Sequence, residues 1–336
     1  MTFLSEITAI QNIIYIFSSI LFITGIKMLG KEDTAVKGNF FSALAMFIAV
    51  SITLINVVNP IVLLSGIALG AVIGSFIALK VKMTSIPEMV ALFNGFGGLA
   101  TFLIAWSEFN SIPDNLFQHV LVMTTLYIGG VTFTGSLVAY AKLSEKIKIA
   151  KTSIITKIFT TIFYISLPFL LYSTFVTPFT VTSFEFFTVL LVLTLLGGIG
   201  FVLPIGGGDM PVVISLLNSF SGIAAAFAGL LLLNNVLIVA GSLVGASGLI
   251  LTVIMAKAMN RSISNILFVG YASSSASSSS SEEQGEVSPI SVSDAYLILE
   301  SASSVLIIPG YGMAVAQAQH VVRELGELLE ENGTEV

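Results

Sequence analysis

Two amides at matching places in otherwise apolar stretches are the most chemically suggestive residues of this chain. Residues 87–100 read PEMVALFNGFGGLA, and residues 211–224 read PVVISLLNSFSGIA. In both, Asn follows Pro by seven residues, Phe comes two later, and Gly-Leu-Ala or Gly-Ile-Ala closes the segment. Wound as helices, the segments carry Asn94 and Asn218 to equal depth, ~10 Å from the proline at 1.5 Å per residue. Polar groups are costly in hydrocarbon, so two at one depth imply a polar centre shared between helices. The residues alone leave two readings open: interhelical hydrogen bonds worth ~0.6–2 kcal/mol each, or the lining of a wet path. Acids stand at the mouths of the same two helices. Glu88 follows Pro87, and Asp209 precedes Pro211 by two, after Gly206-Gly207-Gly208. The helix macrodipole favours an acid near an N-terminus, which is one account of Glu88. Three glycines before Asp209 imply a mobile loop.

The elements that position these residues are membrane helices. The chain has 336 residues, of which 55% are hydrophobic and only 10% charged, whereas a soluble domain carries about a quarter charged. Nine apolar runs approach the ~20 residues that a spanning helix needs. They are 8–29, 38–57, 60–81, 87–107, 116–141, 155–176, 184–204, 210–233 and 236–258. If all nine span, every Lys and Arg before the C-terminal tail falls on one side: Lys27, Lys31, Lys37, Lys80, Lys82, Lys142, Lys146, Lys148, Lys151, Lys157, Lys257 and Arg261. The opposite loops hold Glu108, Asp114 and Glu185 and no basic residue. The positive-inside rule then puts the N-terminus outside and the C-terminus in the cytosol. The first run lacks a basic leader and is expected to be a retained helix, not a signal peptide. The absence of cysteine excludes disulfides and thiolate chemistry. His119 and His320 are too far apart in sequence to make a metal constellation. No nucleic-acid partner is expected.

Glycines recur at helical spacing: Gly66, Gly70 and Gly74 in the third run, Gly197, Gly198 and Gly200 in the seventh, Gly241, Gly245 and Gly248 in the ninth. Such ladders let backbones approach within a bundle. In the ninth run the three glycines adjoin Ser242 and Ser247, which predicts a smooth face able to slide or rotate. The 25 Phe residues are expected to face lipid.

The chain divides into a membrane domain, residues 1–270, a Ser-rich flexible linker, residues 271–291, and a C-terminal segment, residues 292–336. In the last, 293–301 reads as a short amphipathic helix and 304–309, SVLIIP, as a buried parallel-type strand. Gly310-Tyr311-Gly312 is a tight turn, 313–331 a helix ended by Asn332-Gly333, and 334–336 the start of another strand. That order opens a dinucleotide-binding domain. Gly310 and Gly312 let the backbone approach a pyrophosphate, with Tyr311, Met313, Ala314 and Val315 completing the candidate segment before a helix whose N-terminus favours anions. The third glycine of the common fingerprint is absent; Ala314 or Ala316 takes the close-packing role. A complete doubly wound domain needs further βα units, so the chain is expected to be truncated. The residue that selects the ribose 2′ group would fall past Val336, and local sequence does not choose NAD or NADP.

Several long segments carry a resemblance: MTSIPEMVALFNGFGGLA, VTFTGSLVAYAKL, GGGDMPVVISLLNS, IVAGSLVGASG, IMAKAMNRS and IIPGYGMAVAQAQH. From its first helix to Val336 the chain resembles the β subunit of the proton-translocating NAD(P) transhydrogenases. The resemblance implies an all-α polytopic bundle of nine transmembrane helices followed by the start of an α/β Rossmann-like domain that binds NADP(H). It implies a partner α subunit bearing the NAD(H) domain, a dimer of αβ pairs, and an inner-membrane location among lipid with the nucleotide domain cytosolic. Hydride would pass directly between nicotinamides while a proton crosses the membrane, and this chain alone would be inactive. By position, Asp209 corresponds to an acid of a cytosolic loop that couples the membrane and nucleotide domains. Glu88 and the glycines Gly241, Gly245 and Gly248 are further coupling candidates. Asn218 corresponds to a polar residue of the proton path, and Ser136, in TFTGS, to one that lines it. Where several relatives place a histidine, this chain has Asn94. Asn cannot take up a proton at physiological pH, whereas His can. Proton carriage must then use ordered water held by Asn94, Asn218 and Ser136, or a histidine of the partner. The duplicated spacing and the resemblance together favour a wet path over simple interhelical bonding. The competing expectations are a secondary transporter, suggested by the internal repeat, and a passive anchor for a soluble redox domain. Against the transporter, both copies run the same way and no charge lies mid-span.

Overall fold

The computed structural model describes residues 2–55, 60–109, 115–147, 153–175, 184–267, 290–310, 312–313 and 316–336. The chain separates into two compact units, 1–274 and 275–336. Residues 271–289 of the expected linker lie outside the described residues.

Long apolar segments wind into helices because that geometry satisfies every backbone N–H and C=O within the segment. The first unit holds α1 (Thr2–Leu29), α2 (Ala35–Leu54), α3 (Pro60–Lys80), α4 (Ile86–Phe109), α5 (Leu116–Leu143), α6 (Ile154–Phe175), α7 (Phe184–Val202), α8 (Met210–Leu231) and α9 (Asn235–Ala258). A short α10 (Ile263–Leu267) follows. Each of the nine expected runs coincides with one helix to within three residues, except that α1 begins six residues before its run. Eight of them are long and apolar enough to cross a membrane; the apolar stretch of α7, Phe187–Val202, is shorter. Local chemistry sets several starts. Asn115 and Asn234 accept hydrogen bonds from the backbone N–H of Phe117 (3.0 Å) and Leu237 (3.1 Å), capping α5 and α9. Pro211 sits in the first turn of α8, where its missing N–H costs nothing.

At the centre, α5 packs against α4, α7 and α8, and α8 packs in turn against α9 and α4. α1 and α2 pair, and α1 touches α9. One apolar cluster gathers Val202, Val213 and Leu217; a second gathers Phe102, Val122, Leu126 and Leu190. The expectation that phenylalanines face lipid holds for Phe47, 70% exposed, but Phe102, Phe187 and Phe201 are buried core residues. The lone tryptophan, Trp106, lies on α4, edge-on to Phe102 with ring centroids 6.4 Å apart. Helices α4 and α5 approach most closely where Gly98 meets Gly129: a Cβ on either would come within 2.9 Å of the other's carbonyl oxygen. The ladder on α3 behaves otherwise. A Cβ at Gly66, Gly70 or Gly74 would meet nothing within 4 Å, and α3 has no buried residue. Its glycines therefore pack no helix among the described residues, contrary to the expectation of packing inside one bundle.

The second unit contains α11 (Val292–Glu300) and α12 (Gln319–Glu331). α11 opens on a reciprocal cap: Asp294 N–H donates to Ser291 Oγ (3.2 Å), and Ser291 N–H donates to Asp294 Oδ2 (3.3 Å). The Ser291 hydroxyl, and then its backbone N–H, hold the Asp294 carboxyl below its ordinary pKa. Residues 303–305 run parallel to 335, with a single bridge between Ser304 and Glu335. Val305 N–H donates to the Glu335 carbonyl (2.7 Å), and Glu335 N–H to that of Ser303 (3.1 Å). The expected buried strand at 304–309 is otherwise open in this unit: Leu306 is 85% and Ile308 83% exposed. The helix expected over 313–331 is interrupted: Gly312 and Met313 are helical, and α12 starts afresh at Gln319. Gln317 adopts a left-handed φ of 52°, and Ala318 N–H reaches back to the Met313 carbonyl (3.0 Å), closing a preceding turn before α12 can start.

Candidate polar centre of the helix bundle

Helices α4, α5 and α8 converge on one polar cluster. Asn94 Nδ2 donates to Ser136 Oγ on α5 at 2.9 Å, and Ser221 Oγ on α8 donates to Asn94 Oδ1 at 2.8 Å. The Ser221 hydroxyl also lies 2.8 Å from the Asn218 carbonyl oxygen. Ser136 is buried; Asn94, Asn218 and Ser221 are half-buried. Asn94 and Ser136 were expected on this path and are in direct contact. The Asn218 side-chain amide makes no hydrogen bond among the described residues, so the repeated asparagines are not bonded to each other. Ser221 links them, and sequence reasoning missed it. The available signal was spacing: Ser221 lies three residues past Asn218, one turn along the same helix face.

Every member of this cluster is neutral at physiological pH. Amides and hydroxyls can donate to and accept from water, but they cannot hold a charge as a histidine can. The cluster continues along α5. Thr132 and Thr125 lie four and eleven residues before Ser136, spacings that keep all three on one helix face. Both threonines are fully buried, and their hydroxyls have no hydrogen-bond partner among the described residues. Buried hydroxyls of this kind are usual partners of internal water. His119 lies in the first turn of α5 and is 9% exposed.

The α8–α9 contact contrasts with this polar centre. A Cβ at Gly248 would come within 2.8 Å of Ser219 Cα, and one at Gly241 within 2.8 Å of the Gly222 carbonyl oxygen. Ser219 Oγ donates to the Gly245 carbonyl (2.6 Å) and Ser215 Oγ to that of Gly248 (3.2 Å). The glycines of α9 thus form an interlocked seam, not the smooth sliding face expected, and the adjacent Ser242 and Ser247 are exposed.

At the Lys-rich end of the bundle, Asp209 occupies the N-cap position of α8 but makes no side-chain cap. Its carboxylate instead accepts from Arg261 Nη2 at 3.1 Å, with the two side chains 12% and 46% exposed. Lys142 Nζ donates to the carbonyls of Leu203 and Ile205, the latter at 2.7 Å. One cation therefore grips the chain just before Gly206-Gly207-Gly208, and another holds the acid just after. The loop expected to be mobile is pinned at both ends. Glu88 lies half-buried in the first turn of α4 and makes no ion pair among the described residues.

In the second unit, a Cβ at Gly310 or Gly312 would meet nothing within 4 Å, so the backbone there is open to a ligand. Met313 N–H is turned onto the Gly310 carbonyl (3.0 Å). Tyr311, Ala314 and Val315 lie outside the described residues. The open backbone at Gly310 and at Gly312 fits the approach of a diphosphate. Helical residues begin beside it at Gly312 and Met313, and the longer α12 follows only at Gln319.

A family profile described as NAD(P) transhydrogenase beta subunit matches residues 11–336. The chain belongs to the NAD(P) transhydrogenase β-subunit family. It is 38% identical over 338 aligned positions to the NAD(P) transhydrogenase subunit beta of Rhodospirillum rubrum, covering 96% of this chain and 72% of that protein. The same subunit from a defined strain of R. rubrum matches with the same identity and coverage. Transhydrogenase β membership implies an α-subunit partner and involvement of NAD(P)(H), and with the long apolar helices it marks a multi-pass membrane protein. It favours the oxidoreductase-subunit expectation over a solute transporter or a passive anchor.

Proposed function

We propose that this β-family chain carries a proton through its bundle along a hydrated path centred on Asn94, Ser136 and Ser221. The movement is linked to hydride transfer between NAD(H) on an α partner and NADP(H) on the chain's own C-terminal unit. One observation carries the reading most directly: three helices otherwise free of mid-span charge meet at an amide bonded on both sides to hydroxyls. A bundle needing only glue would more cheaply satisfy its hydroxyls on its own carbonyls, as α8 and α9 do.

In this reading, Thr132 and Thr125 extend the path along α5, and Asn218 offers its free amide to water beside Ser221. The cluster orients water and does not itself titrate, so the protonated species is hydrated or supplied by the partner chain. Asp209 couples the membrane region to the nucleotide unit, with Glu88 at the neighbouring mouth and the seam of Gly241, Gly245 and Gly248 holding α9 in register with α8. The bound nicotinamides supply the hydride donor and acceptor. Gly310 and Gly312 admit the NADP(H) diphosphate to backbone amides, with Tyr311, Met313, Ala314 and Val315 alongside. Linkage requires that whatever proton occupancy does to NADP(H) affinity, NADP(H) does equally to proton affinity. The complex is a dimer of αβ pairs in a bacterial inner membrane, with nine spans, the N-terminus outside and the nucleotide unit cytosolic.

The test uses the complex with its α partner in proteoliposomes, following transhydrogenation and the internal pH together. Replacing Asp209 by Asn should lower both rates in parallel. Proton movement that continues unchanged when hydride transfer stops would break the proposed linkage.

A further inference from the structure

A cleft of about 550 Å³ opens where α9 meets α10, lined by Val253, Lys257, Asn260, Arg261, Ser262 and Ser264 among others. It contains two cations, an amide and two hydroxyls, and no acid lines it. The positive φ of Asn260 (52°) turns the chain there, so that residues 261–264 face back across the end of α9. Lys257 is exposed and makes no ion pair or hydrogen bond among the described residues. Arg261 gives Asp209 a bond from Nη2 alone, which leaves most of the guanidinium's five donors for another acceptor.

The cleft is continuous with an apolar stripe. Ile250, Val253, Ile254 and Lys257 follow the i, i+3, i+4, i+7 spacing of one helix face. The three apolar members are 61%, 42% and 56% exposed, and Val253 itself lines the cleft. A soluble anion would use the cations and ignore the stripe. A zwitterionic lipid would set its own cation against Lys257. An anionic phospholipid satisfies both, with its phosphate between Lys257 and Arg261 and its acyl chains along the upper part of α9. Basic residues at a membrane surface attract such lipids.

We propose that this cleft is a binding site for the phosphate of an anionic phospholipid. Through the shared guanidinium of Arg261, the same phosphate bears on Asp209. The inference stands apart from the proton path, since it uses none of Asn94, Ser136 or Ser221.

Native mass spectrometry of the detergent-purified complex, titrated with phosphatidylglycerol or phosphatidylcholine, tests it. Wild type should retain phosphatidylglycerol in preference. Lys257→Gln should weaken retention about fivefold, the ratio corresponding to ~1 kcal/mol per basic residue at a membrane surface. Lys257→Arg should restore it, which separates loss of charge from loss of fold. Lys80→Gln, at the end of α3, should leave it unchanged. Equal retention of the two lipids would overturn the proposal, as would an unaltered Lys257→Gln or equal losses in both lysine variants. So would displacement of the lipid by millimolar inorganic phosphate, or a cleft closed to lipid by the α partner.

Discussion

The two copies of the Pro–Asn segment share spacing and helix depth, yet their amides end up in opposite situations. Asn94 is bonded on both sides, to Ser136 and to Ser221. The Asn218 amide has no hydrogen-bond partner among the described residues, and its backbone carbonyl carries the link instead. Neighbours account for the difference. Asn94 lies beside α5, where the buried hydroxyl of Ser136 waits for a donor. Three residues past each asparagine the copies diverge: Gly97 in the first, Ser221 in the second. A repeat in sequence thus supplies one fixed amide and one open amide, and these suit different tasks: the first anchors three helices, and the second remains free to bind water.

That contrast can be broken by substitution, read out as melting of the purified complex alongside coupled proton movement. Asn94→Leu should have the largest effect. It removes two interhelical bonds and strands the buried Ser136 hydroxyl, for a loss of ~1–3 kcal/mol and most of the proton flux. Ser221→Gly, which gives the second copy the first copy's residue, removes one interhelical bond and should cost ~0.6–1.7 kcal/mol. Asn218→Leu should change stability by less than ~1 kcal/mol, since no described bond is lost, while still reducing flux. A melting loss as large as that of Asn94→Leu would show that the two amides are equivalent after all. The smallest effect belongs to Gly97→Ser, the reverse exchange. A Cβ there would meet nothing within 4 Å, so stability should stay within ~0.5 kcal/mol of wild type. A large destabilisation would mean that the first copy has no room to resemble the second.

Much of this was legible from residue order, because hydrocarbon dictates helices and the apolar runs are long. Asn94 stands out through its repeated spacing and Ser136 through the family resemblance, and the two are in contact. Ser221 shares a helix face with Asn218 through its i+3 spacing, but serine is common in such helices and the spacing alone does not single it out. The Asp209–Arg261 pair was also within reach. α8 and α9 are antiparallel and of similar length, so a residue just before one stands beside a residue just after the other. Lys142 was not legible, since its partners are backbone carbonyls some sixty residues away in sequence. The glycine ladders show the limit most plainly. Similar helical spacing on α3 and α9 gave no hint that one would lie open and the other lock against α8 at distances that exclude a methyl group. Contact partners decide that, and spacing does not encode them. In the second unit, SVLIIP reads as a core strand because its residues are greasy. Among the described residues only its first residues pair, at Ser304 with Glu335, and Leu306 and Ile308 stay exposed in that unit.

The single tryptophan has a practical use. Trp106 lies twelve residues beyond Asn94 on the same helix, about 18 Å along the axis, and is 46% exposed. With no second indole to confuse the signal, ultraviolet emission of this chain reports on one end of α4 alone. Any tilt or shift of that rod during turnover would appear as a change in colour or quenching, without attaching a dye.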